Sequence, residues 1–252
     1  MTAMNELLPI VSTVAAASAG VVAYGAVDSR AQLFGKTLCW TNSPRKLAIT
    51  FDDGPNPSLT PQLFDLLERY NAKATFFVIG KFARECPDLV RETAARGHLI
   101  ANHTQTHPNL FWLSPAAIKN ELKECADAIG EVLGGPPEWF RPPYGFRNPW
   151  VVSTATKLSM RTVMWTLLPG DWRPRPIETL IRNIQPIATQ AEQNRAQSKG
   201  TGDVLCLHDG GHRGLHADRT NTLKALEYWL PRWRDLGLEF VTIAEAVDAP
   251  AS

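Results

Sequence analysis

Residues 47–57, Leu-Ala-Ile-Thr-Phe-Asp-Asp-Gly-Pro-Asn-Pro, run from a mostly apolar stretch into two adjacent carboxylates and then a Gly-Pro turn. The apolar part has the length and composition of a buried strand. Asp52 and Asp53 at its end repel one another and are costly there unless other groups neutralise them. Asp-Gly-Pro is also ordinary turn chemistry, so alone the stretch fits a strand-ending turn equally well.

The rest of the chain repeats the same alternation. Strand patterns fall at 47–51, 74–79, 98–101, 161–166, 204–207 and 239–242. Between them lie helical patterns. One starts at Thr60-Pro61, with Thr as N-cap and Leu63, Leu66, Leu67 and Tyr70 on its apolar face. A second opens at Pro87 and stops at Gly97, and a third runs from Ser114-Pro115 to Gly134-Gly135. Further helices are expected around 150–159, 176–195 and 219–236, with a helix end and surface loop across 190–203. Strands alternating with helices predict parallel pairing through right-handed crossovers, in a β/α barrel or an open sheet.

Composition narrows the class without naming a function. At 252 residues the chain can bury a sizeable core, and 44% hydrophobic with 20% charged residues is ordinary for a globular protein. A formal net charge of +1, with both signs mixed along the chain, argues against nucleic acid as the main partner. Cys39, Cys86, Cys125 and Cys206 show no metal-type spacing and read as buried thiols, with a Cys86–Cys125 pairing left open. Residues 7–27 carry no charge, which suits a membrane anchor, a signal-peptide core or a small-residue helix packed on the domain. The expected organisation is an apolar segment at 1–27, a linker at 28–45 and one catalytic domain at 46–248. An envelope or exported location with membrane association through 7–27 is the expectation, a cytoplasmic one the alternative.

The chemistry-bearing residues follow the strands. Asp52 and Asp53 follow the first, and His103 and His107 follow the strand ending near Ala101. Arg141 follows Trp139-Phe140, Asp171 follows the 161–166 strand, and His208 follows Leu207 directly. In a β/α barrel these strand ends share one face, so five distant segments meet in one pocket. His103 and His107, four apart, lie on one side of a helical turn and grip one cation, although two histidines at this spacing are more often incidental. A carboxylate from another strand end completes a catalytic zinc-type set with an open position. One of the two aspartates then binds the cation while the other stays free as general base. Arg141, in a rigid Pro-Pro frame, pairs with the free carboxylate, unless the segment is simply a surface loop. His208 paired with Asp171 has its pKa raised and serves as general acid, with Trp172 as an aromatic wall or core filler. His98, His212 and His216 have no obvious partner, and the glycine-rich context of His212 reads as loop.

Taken together these segments resemble the polysaccharide deacetylase family, the NodB-homology domain of carbohydrate esterase family 4, over roughly residues 45–247. Thr50-Phe51-Asp52-Asp53-Gly54 resembles its first motif and His103-Thr104-Gln105-Thr106-His107 its second. Arg141-Pro142-Pro143-Tyr144 is similar to the third, Asp171-Trp172 to the fourth and Leu207-His208 to the fifth. The resemblance implies a distorted (β/α)7 barrel and a divalent metal, usually Zn2+ with Co2+ as a substitute, held by Asp53, His103 and His107. It implies Asp52 as base, Arg141 as its orienting partner, and His208 with Asp171 as the acid. It also implies the Tyr144 backbone N–H as oxyanion donor and an acetyl pocket shaped by Trp172 and Leu207. Cys206 stands where many relatives carry an aliphatic residue, and Leu167-Leu168-Pro169 before Asp171 is more apolar than usual. The activity implied is N-deacetylation of an N-acetylglucosamine-containing glycan, chitin-like or peptidoglycan-like. An O-deacetylase or other amide hydrolase on the same site is the near alternative. A non-catalytic glycan-binding envelope protein is the distant one, and no protein partner is implied.

Overall fold

The 47–51 run is the inner part of β2 (Lys46–Gly54), a central strand buried on both faces. The computed structural model describes residues 20–194 and 199–247. Among these, β2, β3 (Ala74–Val78), β4 (Leu99–Asn102), β5 (Trp139–Phe140), β6 (Arg161–Thr162), β7 (Gly202–His208) and β8 (Glu239–Phe240) all pair in parallel. Their order is β7-β2-β3-β4-β5-β6, with β8 on the start of β2 and the short β1 (Trp40–Thr41) antiparallel to β7. The chain after β6 returns to β7, where Leu167 bridges Leu205 and its carbonyl accepts from Cys206 N at 2.9 Å. That return curls the sheet into the distorted (β/α)7 barrel expected from the motifs.

The helices lie outside the curled sheet, as parallel crossovers require. After α1 (residues 20–27) come α2 (Thr60–Arg69), α3 (Gly80–Glu85), α4 (Pro87–Ala95) and α5 (Pro115–Leu133). They are followed by α6 (Pro149–Lys157), α7 (Ile177–Gln193) and α8 (Thr220–Asp235). The period of two along β2 sorts its side chains. Leu47, Ile49 and Phe51 join the layer that includes Leu63, Leu66, Leu226 and Leu230 from α2 and α8. Ala48 faces the interior with Phe77, Ala101, Val163 and Val204. Thr50 and Asp52 share that inward parity, so the strand's buried polar residues sit inside the barrel.

Several local expectations are corrected. Thr60 does not cap α2: Leu59 holds the N-cap position, and the Thr60 hydroxyl instead donates to Asp209 Oδ2 at 2.5 Å. Ser114 does cap α5, accepting from Ala117 N, and Gly134 ends that helix with φ 82°. The 161–166 strand keeps only Arg161–Thr162 in the ladder, because Met164 N turns to Leu38 O and Thr166 N to Val204 O. Helix α3 is additional, too short to leave a period in the sequence. All four cysteines are free, so Cys86 and Cys125 are not paired.

Residues 1–19 of the apolar segment lie outside the described residues. Where the described chain begins, Arg147 donates side-chain hydrogen bonds to the carbonyls of Gly25 and Asp28, which ties residues 25–28 to the domain. Val21, Val22, Tyr24 and Val27 are exposed. Within the 28–45 stretch, Leu38 bridges Val163 and β1 pairs with β7. Among the described residues no helix is long and apolar enough to cross a membrane.

Candidate active site

In a regular strand Asp52 and Asp53 would point to opposite faces. The β2 register shifts between Asp52 and Gly54, and Asp53 takes φ 70°. This bulge turns Asp53 away from the helix layer, and both carboxylates line one cavity of about 310 Å³ at the carboxyl ends of the strands. Gly54 is needed behind them, since a Cβ there would meet the Asp209 carboxylate at 2.5 Å. Asp209, which the motifs did not single out, is wholly buried and its amide donates to Asp52 O at 3.2 Å. Burial first, then the neighbouring aspartates, push its carboxyl up to about 7 against the Thr60 hydrogen bond.

His103 and His107 do not sit on a helical turn. Thr104 and His107 adopt left-handed φ values of 68° and 63°, and Thr104 Oγ1 accepts from His107 N at 3.0 Å. Glu121 of α5 fixes the loop by accepting from the Thr106 amide and hydroxyl at 2.9 and 2.8 Å. The result still brings both rings to Asp53 Oδ1, with His107 Nε2 at 3.1 Å and His103 Nε2 at 3.5 Å. One ligand atom from each of Asp53, His103 and His107 lies within 4.8 Å of the others, and all three residues are buried. His103 Nδ1 is 2.9 Å from Arg141 O, which makes Nδ1 the protonated nitrogen and frees the Nε2 lone pair. Burial alone would raise the Asp53 carboxyl, but the His103 and His107 imidazoles beside it hold it well below its ordinary range. Asp53 Oδ1 is buried without a hydrogen-bond donor of its own. A buried anionic oxygen facing two imidazole nitrogens suits a divalent cation of the zinc type, leaving a further coordination position open.

Arg141 is fully buried inside the barrel rather than on a surface loop. Its Nη1 donates to Asp52 Oδ1 at 2.8 Å and Thr50 Oγ1 at 2.7 Å, and its Nη2 to Met164 O at 3.1 Å. Phe77 supports the guanidinium at 4.1 Å from its ring centre. Burial raises the Asp52 carboxyl, and the charges of Arg141 and His103 more than reverse that, so its pKa is lowered. Cys206 contributes beyond wall shape: its Sγ lies 3.3 Å from Asp52 Oδ2 as donor. Burial holds that thiol protonated, well above its ordinary range.

On the other strand ends, His208 Nδ1 pairs with Asp171 Oδ1 at 2.9 Å. Asp171 Oδ2 accepts from His208 N and Thr222 Oγ1, both at 2.8 Å. Burial opposes the charged imidazole, yet Asp171 raises the His208 pKa to about 9. Trp172 leans on the His208 ring at 4.9 Å. Tyr144 holds φ 58°, and its ring meets His107 edge-on at 4.6 Å. Leu207 lies in the helix-facing core, because strand parity turns Cys206 and His208 inward, and Leu168 with Cys206 supplies the cavity wall instead. His212, read from sequence as loop, lines the cavity and stacks on His107 at 4.7 Å and 12°. Its signal was positional: it stands in the loop that leaves β7, the strand that ends in His208.

The fold and site together suit a hydrolase with a metal-ligand group, a separate carboxylate base and a His–Asp acid in one cavity. The polysaccharide deacetylase family model matches residues 41–163. A peptidoglycan-N-acetylglucosamine deacetylase of Bacillus cereus is 35% identical over 206 residues, 81% of this chain and 89% of the relative. A chitooligosaccharide deacetylase of Bradyrhizobium is 34% identical over 77% of this chain and 87% of its own length. The crystal structure of the Bc1960 peptidoglycan N-acetylglucosamine deacetylase superposes with a TM-score of 0.73 at 27% identity, covering 84% of this chain and 92% of that one. The chain belongs to the polysaccharide deacetylase family and is an enzyme acting on carbon–nitrogen, non-peptide bonds.

Proposed function

We infer that this enzyme removes N-acetyl groups from N-acetylglucosamine units of a glycan, with Asp53, His103 and His107 holding a divalent metal, zinc first. One observation carries the reading: a single cavity joins that ligand group to a separate carboxylate tied to Arg141 and to a histidine paired with a buried aspartate. When bound, the cation supplies Lewis acidity for the acetamide carbonyl and for water. Asp52, fixed and kept ionised by Arg141, accepts the proton of the attacking water at Oδ2. The Tyr144 N–H has no acceptor among the described residues and is available to the developing oxyanion. His208 donates from Nε2 to the departing nitrogen, its Nδ1 proton committed to Asp171. An amine must be protonated to leave, and a His208 whose charged form is favoured by Asp171 is placed to supply that proton. Trp172, Leu168 and Cys206 form the wall against which the acetyl methyl packs.

Acetate release from chitin oligomers, peptidoglycan strands and acetylated xylan, with and without chelator, tests this. We expect release from the first two, abolished by chelator and restored by zinc; release from xylan alone overturns N-deacetylation. His103→Ala and His107→Ala should each lower bound zinc from about one per chain to a small fraction, and stoichiometric zinc in either variant refutes the ligand set.

The His208–Asp171 pair also predicts a pH dependence of stability in the metal-free protein. Its folded pKa of about 9 exceeds the ordinary 6.5. The pair's contribution is therefore complete below about pH 6.5 and is lost as pH rises through about 9. Urea midpoints of wild type and His208→Gln should be well separated at pH 6 and converge above pH 9. A separation that widens with pH contradicts the pairing. We place the protein at the cell envelope through its uncharged 7–27 stretch; deleting residues 2–19 should move it from the membrane to the soluble fraction on sedimentation.

A further inference from the structure

The two imidazoles that face Asp53 are held in different ways. His103 is fixed at its far nitrogen, with Nδ1 2.9 Å from the Arg141 carbonyl. His107 has no such tie: its Nδ1 is buried and meets no hydrogen-bond partner among the described residues. A histidine that binds a metal ordinarily has its second nitrogen hydrogen-bonded, and that bond fixes the plane of the ring. Without it, rotation about Cβ–Cγ is soft, because an sp3–sp2 torsion has broad wells. Yet His107 Nε2 lies 3.1 Å from Asp53 Oδ1, closer than the anchored His103 at 3.5 Å.

Neighbouring rings supply the missing constraint. His212 lies nearly parallel to His107, with 12° between the planes and 4.7 Å between the centres. Tyr144 stands across the same imidazole at 71° and 4.6 Å. Both arrangements are favourable for aromatic pairs, and a ring held between them cannot turn far without striking one. The place of His212 is in turn set by backbone. Gly210 passes so close to β2 that a Cβ there would collide with the Asp53 carbonyl. Lys81, in the first turn of α3, braces the two loops together. Its amide donates to Gln105 O in the His103–His107 loop, and its ammonium to His212 O, both at 3.1 Å. His212 itself stands back from the ligand group, its Nδ1 4.0 Å from Asp53 Oδ2, while Asp53, His103 and His107 make up that group.

We propose that His212 is a positioning residue for the metal site: stacked on His107, with Tyr144 across it, it sets the plane of the ligand imidazole that lacks a hydrogen bond at Nδ1. The proposal rests on the ligand group of the proposed function and adds a residue outside the five segments that resemble the family's motifs. What position 212 must supply is then the face of a flat ring rather than a nitrogen.

The test compares zinc binding by wild type, His212→Ala and His212→Phe, read by competition with a chromophoric chelator. The His212 side chain is 36% exposed and on a loop, so both substitutions should leave the fold intact, which circular dichroism checks. His212→Ala should raise the zinc dissociation constant by about tenfold, and His212→Phe should bring it back to within about twofold of wild type. The Co2+ absorption spectrum of His212→Phe should match that of wild type, since no ligand is exchanged. In the metal-free protein the His107 ring protons should lose a ring-current shift in His212→Ala and keep one in His212→Phe. Zinc binding by His212→Ala equal to wild type overturns the proposal. His212→Phe as weak as His212→Ala, with a changed Co2+ spectrum, makes the His212 nitrogen a ligand and overturns it too. A wild type that takes up no zinc overturns the ligand group of the proposed function and this role with it, an outcome told apart from loss of the stack by the metal-free ring-current shifts.

Discussion

Asp52→Asn should lower kcat for acetate release by about 10²–10⁴-fold, while bound zinc stays near one per chain and KM changes little. The variant keeps the size of the side chain and an oxygen able to accept from Arg141, which now donates to Asp52 Oδ1 at 2.8 Å. It removes the capacity to take a proton at Oδ2, together with the negative charge opposite Arg141 and the acceptor of the Cys206 thiol. The effect is separable from metal loss because Asp53 Oδ1, at 3.5 and 3.1 Å, lies closer to the His103 and His107 nitrogens than Asp52 Oδ2, 3.9 Å from His103. Circular dichroism and zinc content establish that fold and ligand group survive. A kcat within threefold of wild type assigns the proton to another group and refutes Asp52 as base. Cys206→Ala is the milder companion: losing one thiol donor to Asp52 Oδ2 should cost a few-fold in kcat, and Cys206→Ser should recover part of it.

The site was legible in the sequence wherever position along a strand sufficed. Asp52, Asp53, His103, Arg141, Asp171 and His208 all follow apolar runs, and a parallel barrel brings such ends to one face. What could not be read was set by contacts between distant segments. Spacing alone suggested a helical turn for His103 and His107, but Glu121 on α5 and the left-handed Thr104 build a different loop with the same outcome. Leu207 was assigned to the acetyl pocket through motif adjacency, whereas strand parity places Leu207 outward and Cys206 inward. Thr60 looked like a cap because its neighbours are Leu59 and Pro61. Its hydroxyl is drawn instead to Asp209, 149 residues away. His212 reads as loop from sequence because the glycines around it carry no period, and its stacking on His107 depends on how the β7 loop folds back. The fold followed a similar division. The long elements show in hydrophobic pattern, while two-residue β1 and the return of 163–167 to β7 are tertiary choices.

Arg141→Met should destabilise the protein by about 3–5 kcal/mol, because it strands the Asp52 carboxylate in the barrel interior without its cation. At this chain length that corresponds to a fall in Tm of roughly 6–20 °C. The cost comes from Asp52 more than from lost arginine contacts, and a double variant separates the two. Asp52→Asn/Arg141→Met removes the buried charge along with its partner, so it should regain a large part of the stability lost by Arg141→Met alone. Lysine is a poor substitute, since one ammonium cannot serve Asp52 and Thr50 through Nη1 while also reaching the Met164 carbonyl through Nη2. Arg141→Lys should therefore fold but turn over slowly, with Asp52 no longer fixed in one rotamer. If the double variant is as unstable as the sum of its parts, the arginine acts as barrel filler resting on Phe77, and its link to the base is incidental. If stability returns while activity does not, the same buried pair accounts both for how adjacent carboxylates are tolerated at the end of β2 and for how one of them is held ready for proton transfer.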